Sequence, residues 1–299
     1  MLRNDFCVFI LTHGRADRVI TYKTIKKAGY TGPVFLVIDN EDEQADEYIR
    51  RYGEENVIVF DKQARAEKTD TPDLSQDHRT IIYARNECFD IADRLGYRYF
   101  LELDDDYTDF QYRYEGNGKL LIKSAKNLDD IFEEMLLFLD ASGAITVAFA
   151  QGGDMIGGVQ AGNFQKGLLR KAMNTFFCDT RKRFQFVGRI NEDVNTYTSL
   201  GNKGKLMFTF TALMITQKTT QSNAGGMTET YLDMGTYLKS FYSVVYSPQA
   251  VKIGEMGDKH KRIHHIVNWD RCAPKILNEK WCKAENGAKT LLTDGPVAG

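Results

Sequence analysis

The sequence predicts an α/β fold: a mostly parallel, twisted sheet with helices on both faces, followed by a smaller mixed α+β half. Three observations predict it. Over the first hundred residues, short continuous apolar runs alternate with segments whose apolar residues recur at helical spacing. The runs are strand-sized and bounded by turn residues, as strands covered on both faces require. Three of them end in polar clusters: Thr12-His13-Gly14-Arg15, Asp39-Asn40 and Asp104-Asp105-Asp106. Open parallel sheets bind ligands at those strand ends.

Phe6 to Leu11 reads as the first strand, and Arg15 to Gly29 as a helix stopped by its glycine. Pro33 opens a second strand, Val34 to Ile38. Glu43 to Tyr52 reads as a helix, Val57 to Phe60 as a strand, and the polar stretch 61–78 as a loop. Arg79 to Leu95 carries Ile81, Ala84, Cys88 and Leu95 on one face, so it is a helix, and Gly96 ends it. Arg98 to Leu103 is the fourth strand and runs straight into the three aspartates. In the second half, Leu128 to Leu139, Asn191 to Leu200 and Thr228 to Leu238 read as helices. Ala144 to Phe149, Arg183 to Val187, Met207 to Ile215 and Tyr242 to Tyr246 read as strands. Residues 151–167 hold six glycines and read as a loop. No repeat or linker divides the 299 residues, so one domain is expected, with residues 1–110 and 111–299 as its two halves.

The composition is that of a globular chain, 42 % hydrophobic and 27 % charged. No apolar run approaches the length of a membrane span, so no membrane partner is expected, and no signal peptide is recognisable. Five widely spaced cysteines without a CxxC pair argue against a zinc ribbon and fit a reducing compartment. The net charge of -2 conceals an asymmetry: residues 1–150 carry 29 acidic and 19 basic side chains, residues 151–299 carry 12 and 20. Such halves can face different partners.

Asp104 and Asp106, alternate residues at a strand end, offer the hard oxygen ligands that Mg²⁺ or Mn²⁺ shares with substrate phosphates. An acidic turn on the surface is the plain alternative. Glu192-Asp193 opens a helix, where carboxylates serve either as dipole-favoured caps or as a general base. Arg85, with Asn86 beside it, offers a guanidinium suited to a diphosphate. His264 and His265 are neighbours in a basic strand, so only one of them reaches a given site, as a ligand or as plain surface. Residues 166–205 concentrate Lys166, Arg170, Lys171, Arg181, Lys182, Arg183, Arg189, Lys203 and Lys205 among phenylalanines, a pattern that a polyanion would favour. Phenylalanine at alternate places there is more often core than stacking platform. P-loop, dinucleotide-fold and nucleophile-elbow motifs are all missing from the sequence.

In type and in order, these pieces resemble a GT-A glycosyltransferase. Thr12-His13-Gly14-Arg15 looks like the family's donor-binding loop, and Asp39 like the acid that contacts the nucleoside. Tyr83-Ala84-Arg85-Asn86 is similar to its Ala-Arg-Asn segment. Leu103-Asp104-Asp105-Asp106 is similar to its DxD motif, which implies Asp104 and Asp106 as metal ligands with Asp105 on the donor. Asn191-Glu192-Asp193 is similar to the xED motif, which implies Asp193, beside Glu192, as catalytic base, and His264 or His265 is similar to its late metal-binding histidine. More narrowly, the chain resembles the TET-associated glycosyltransferases of bacteriophages. That resemblance implies a hexosyltransferase using a UDP-sugar and Mn²⁺ or Mg²⁺, a 5-hydroxymethylcytosine DNA acceptor, and the cytoplasm of an infected bacterial host. No obligate protein partner is evident in the sequence. The same carboxylates also suit a GT-A enzyme acting on a glycan or protein, or a two-metal nuclease or nucleotidyltransferase. A non-catalytic DNA-binding protein is the further alternative.

Overall fold

The computed structural model describes residues 3–71, 78–217, 238–256 and 261–272. Four strands open the chain: β1 (Phe6–Leu11), β2 (Val34–Asp39), β3 (Val57–Phe60) and β4 (Tyr99–Asp104). Between them lie α1 (Ile20–Lys27), α2 (Ala45–Tyr52), the short α3 (Lys62–Ala66) and α4 (Ile82–Leu95). After β4 come the hairpin β5 (Tyr107–Gly116) and β6 (Lys119–Ser124), then α5 (Leu128–Ser142) and β7 (Thr146–Ala150). Next are α6 (Gly162–Lys166), β8 (Leu168–Leu169), β9 (Phe176–Asp179), α7 (Glu192–Asn202) and β10 (Met207–Gln217).

One sheet takes all ten strands, in the order β3-β2-β1-β4-β9-β7-β10-β5-β6, with β8 paired to β10. β1 to β4 are mutually parallel, and β7 and β10 share their direction across the reversed β9. The expected parallel sheet is therefore present, with one reversed strand inside it and an antiparallel hairpin at its edge. A separate antiparallel pair, β11 (Val251–Met256) and β12 (Arg262–Val267), lies off the sheet.

β1 shows why its sequence is continuously apolar. Alternate side chains leave a strand on opposite faces. Phe6, Val8 and Ile10 join one core with Ile25 of α1 and Phe132 and Leu136 of α5. Cys7, Phe9 and Leu11 join a second core with Phe89 and Ile91 of α4 and Val194 of α7. Gly96, at φ 80°, ends α4 in the left-handed conformation that glycine adopts without steric cost.

The structure departs from the sequence expectations in several places. No strand forms over 183–187. There the backbone of Phe186 bonds the Asn86 side chain in both directions, at 2.8 and 3.0 Å, instead of a strand edge. The inserted strand is β9, whose Phe176 and Phe177 go to the two separate cores. Tyr242 to Tyr246 is helical, within a helix over 238–246. Ser240 and Ser243 are buried three apart, with buried Ser247 four further on, a helical spacing that overrides the β preference of tyrosine and valine. The β5–β6 hairpin turns on Asn117-Gly118, both at positive φ. α3 interrupts the loop expected over 61–78, with Asp61 as its N-cap. α1 begins at Ile20 rather than Arg15, because α2 holds the preceding backbone in another path. The helix expected over Thr228 to Leu238 lies almost wholly outside the described residues.

Candidate active site

Because β1, β2 and β4 are parallel neighbours, their C-terminal ends stand side by side; Leu11 pairs with Asp104. The loop after β1 is clamped from α2. The Arg15 N–H donates to the Tyr48 hydroxyl at 2.8 Å, and the Ala16 N–H to Gln44 Oε1 at 2.9 Å. The Gly14 N–H donates to Asp42 Oδ2 at 2.7 Å. Asp105 ties this loop to β4: it accepts from Thr12 Oγ1 at 2.8 Å and from Arg15 Nη1 at 3.1 Å. Beneath the three aspartates, buried Thr21 of α1 donates to the Asp104 carbonyl at 2.6 Å and accepts from the Tyr107 N–H at 2.8 Å. The turn that carries Asp104, Asp105 and Asp106 is thus fixed at both ends.

At the end of β2, Asp39 lies 2.8 Å from His13 Nδ1, and Lys62 Nζ is 3.5 Å from its other oxygen. The hydrogen bond that His13 donates to the Asp39 carboxylate lifts the imidazole above its ordinary value, against its partial burial. Burial pushes Asp39 up, but His13 and Lys62 outweigh it and hold the carboxylate below its usual range.

Arg85 joins the two halves of the site. Its side chain is 1 % exposed, so its guanidinium must find partners inside the protein. Nη2 reaches Asp104 at 3.0 Å, Nη1 reaches Glu102 at 3.4 Å and Nε reaches Glu192 at 3.3 Å. Phe176 and Phe186 flank it, with ring centroids 4.8 and 5.7 Å from the guanidinium carbon. Glu102 and Asp104 are two apart on β4 and therefore share the face that meets α4. Asn86 spends its amide on Phe186 and braces the segment that covers Arg85.

One guanidinium does not neutralise this cluster. Burial pushes Glu102 up to about 8 despite Arg85. Burial also pushes Asp104 up to about 7; Arg85 opposes this, while Asp106 and Glu192 add to it. Burial and the adjacent Glu192 raise Asp193 to about 6. Arg85 itself stays charged, since the three carboxylates overcome the burial that would lower it.

A divalent cation fits Asp104 and the half-buried Asp106, whose like charges oppose each other in the apo chain. Among the described residues, no three His, Cys, Asp or Glu side chains form a metal-holding group. His264 and His265 therefore do not join those aspartates here. Their rings lie 4.3 Å apart on β12, and His265 is pushed down to about 4 by burial, with His264 and Lys239 adding to the effect. The donor set suits Mg²⁺ or Mn²⁺ held by two carboxylates together with water and substrate phosphate.

The profile of the TET-Associated Glycosyltransferase family matches residues 6–226, from the start of β1 past the end of β10. The chain belongs to that family. No curated protein sequence matches it. Among solved structures, it is similar to residues 1–349 of TarS from S. aureus in complex with UDP. That match has 12 % identity and a TM-score of 0.40, over 70 % of this chain and 59 % of that one. The chain thus spans about three fifths of that TarS fragment. It is also similar to glucosyl-3-phosphoglycerate synthase from Mycobacterium tuberculosis in complex with Mg²⁺ and UDP. Here the identity is 6 % and the TM-score 0.44, over 88 % and 87 % of the two chains. No helix among the described residues of this family member is long and apolar enough to cross a membrane.

Several residues of the site escaped the sequence expectations, four of them central to its geometry and charge. Asp42 and Tyr48 shape the β1 loop, Glu102 shares Arg85, and Lys239 lowers Asp193 from beyond α7. Glu102 had a legible signal, a lone charge inside an apolar strand. The other three depend on tertiary placement.

Proposed function

We propose that this glycosyltransferase is metal-dependent and moves a sugar from a UDP-sugar to the hydroxyl of 5-hydroxymethylcytosine in DNA. The observation that carries the proposal is Arg85, which touches Asp104 on the donor side and Glu192, the neighbour of Asp193, on the acceptor side. In this reading Arg85 bridges the donor half, 1–110, and the acceptor half, 111–299.

In this reading His13, Asp39 and the loop Thr12 to Arg15 hold the nucleoside, and Asp105 keeps that loop in place. Asp104 and Asp106 would hold Mn²⁺ or Mg²⁺, which would supply positive charge beside the leaving diphosphate. Arg85 supplies a fixed positive charge beside it, oriented before the reaction begins. Asp193 receives the proton of the acceptor hydroxyl. Raised to about 6, it is mostly ionised at neutral pH yet more basic than an ordinary aspartate. Glu192 keeps Arg85 and Asp193 in register. His264 and His265 are kept as candidates to complete the metal shell, which would need β12 to move toward Asp106.

A screen of UDP-sugars for released UDP, with and without Mn²⁺, tests the donor half. One UDP-sugar should be hydrolysed with Mn²⁺ and spared with a chelator. Asp106→Asn should raise the Mn²⁺ concentration needed for UDP release about tenfold or more, at least the cost of losing a partner that only orients a ligand. No UDP release from any sugar nucleotide, with or without the metal, would reject the donor assignment.

A further inference from the structure

The structure divides the basic stretch at 166–205. Arg183 forms ion pairs with Asp90 and Asp93. Lys182 donates to the carbonyls of Leu139 and Ala144 at 3.0 and 3.2 Å, and Arg189 is buried. These three are committed to the fold. Lys166, Arg170, Lys171 and Lys205 instead line one cleft of about 290 Å³. Lys171 pairs with Asp154, whereas Lys166, Arg170 and Lys205 are exposed and make no ion pair among the described residues.

The cleft also has an aromatic wall. Trp269 stacks on Tyr197, with centroids 5.4 Å apart and an interplanar angle of 21°, and the tryptophan remains 42 % exposed. Close packing builds this wall: a Cβ on Gly201 of α7 would stand 2.9 Å from the Cys272 carbonyl oxygen, so glycine lets the Trp269 turn approach the helix. α7 connects the cleft to the chemistry. Tyr197 is four residues beyond Asp193, about one helical turn, and Gly201 is about 12 Å along the axis.

A groove with unpaired cations along it and an exposed aromatic face is the arrangement that tracks a polynucleotide strand, with phosphates on the cations and a base on the ring. We propose that this cleft holds the sugar–phosphate backbone of the acceptor DNA strand, with Trp269 stacking on a base beside the modified one. The inference rests on the reading of the acceptor as DNA. It adds the surface that binds the strand, and it excludes Lys182, Arg183 and Arg189 from that surface.

The test measures fluorescence anisotropy of labelled hydroxymethylcytosine DNA across a salt series, beside UDP-sugar hydrolysis without DNA, on the full chain. Wild type should lose affinity steeply with salt. The triple variant Lys166→Ala, Arg170→Ala, Lys205→Ala should bind about tenfold or more weakly, with the salt slope smaller by about 2–3. Trp269→Ala should bind about fivefold or more weakly with the slope unchanged. Donor hydrolysis should match wild type in both. Wild-type affinity and slope in the triple variant would overturn the cleft assignment and leave the DNA acceptor standing. Joint loss of DNA binding and donor hydrolysis would also overturn it, since the cleft would then serve the donor site or the fold. A wild-type protein that hydrolyses donor but has no salt-sensitive affinity for DNA would overturn the acceptor reading itself.

Discussion

Arg85→Met should lower the melting temperature by about 5–15 °C and abolish transfer. The variant keeps the length and apolar stem of the side chain but removes the charge shared by Glu102, Asp104 and Glu192. Removing one partner of a buried ion pair costs about 3–5 kcal/mol, because the remaining charges stay buried without compensation. Arg85→Lys should recover part of the stability and little of the transfer. A single ammonium cannot meet three separated carboxylates as a planar guanidinium does. Calorimetry and UDP release on the same samples separate the two effects. Wild-type melting for Arg85→Met would mean that the three carboxylates do not depend on this side chain.

Asp193→Asn should reduce kcat by about 10²–10⁴ while leaving UDP binding within about twofold, the range expected when a general base is lost. The wild-type pH profile should carry the same signature. With its carboxyl raised to about 6, Asp193 is protonated below that value, so kcat/KM should fall as the pH drops through about 6. The sign for stability is opposite. A raised folded-state pKa contributes stability at low pH that is lost between the ordinary value of 3.8 and about 6, so the ionised base weakens the fold. The acid limb should disappear in Asp193→Asn. Its persistence would assign the limb to another group.

Much of the donor side was legible because its signals are local. β1, β2 and β4 are short apolar runs with polar ends, and parallel pairing follows from the helices between them. Asp104, Arg85 and Glu192 are each legible in the sequence, but the meeting of the two carboxylates at one guanidinium depends on α4 and α7 covering the same face of the sheet. The basic stretch misled for a related reason. Charge along a sequence carries no face: Lys182 and Arg183 are spent on backbone carbonyls and on Asp90 and Asp93, while Lys166 and Lys205 line the cleft. The phenylalanines within that stretch are mostly core, as their alternation implied: Phe176, Phe177 and Phe186 are buried. The hairpin after Asp106 had a readable marker in Asn117-Gly118. The helix over 238–246 had none, since only burial of its serines distinguishes it from a Tyr-Val strand.

Mass spectrometry of nucleosides from hydroxymethylcytosine DNA, after incubation with the protein, a UDP-sugar panel and Mn²⁺, tests the central claim most directly. The account predicts a gain of one hexose on hydroxymethylcytosine with one or more donors, none on cytosine, and none with Asp193→Asn. Donor hydrolysis without any transfer to DNA, or DNA cleavage that needs no donor, would contradict it.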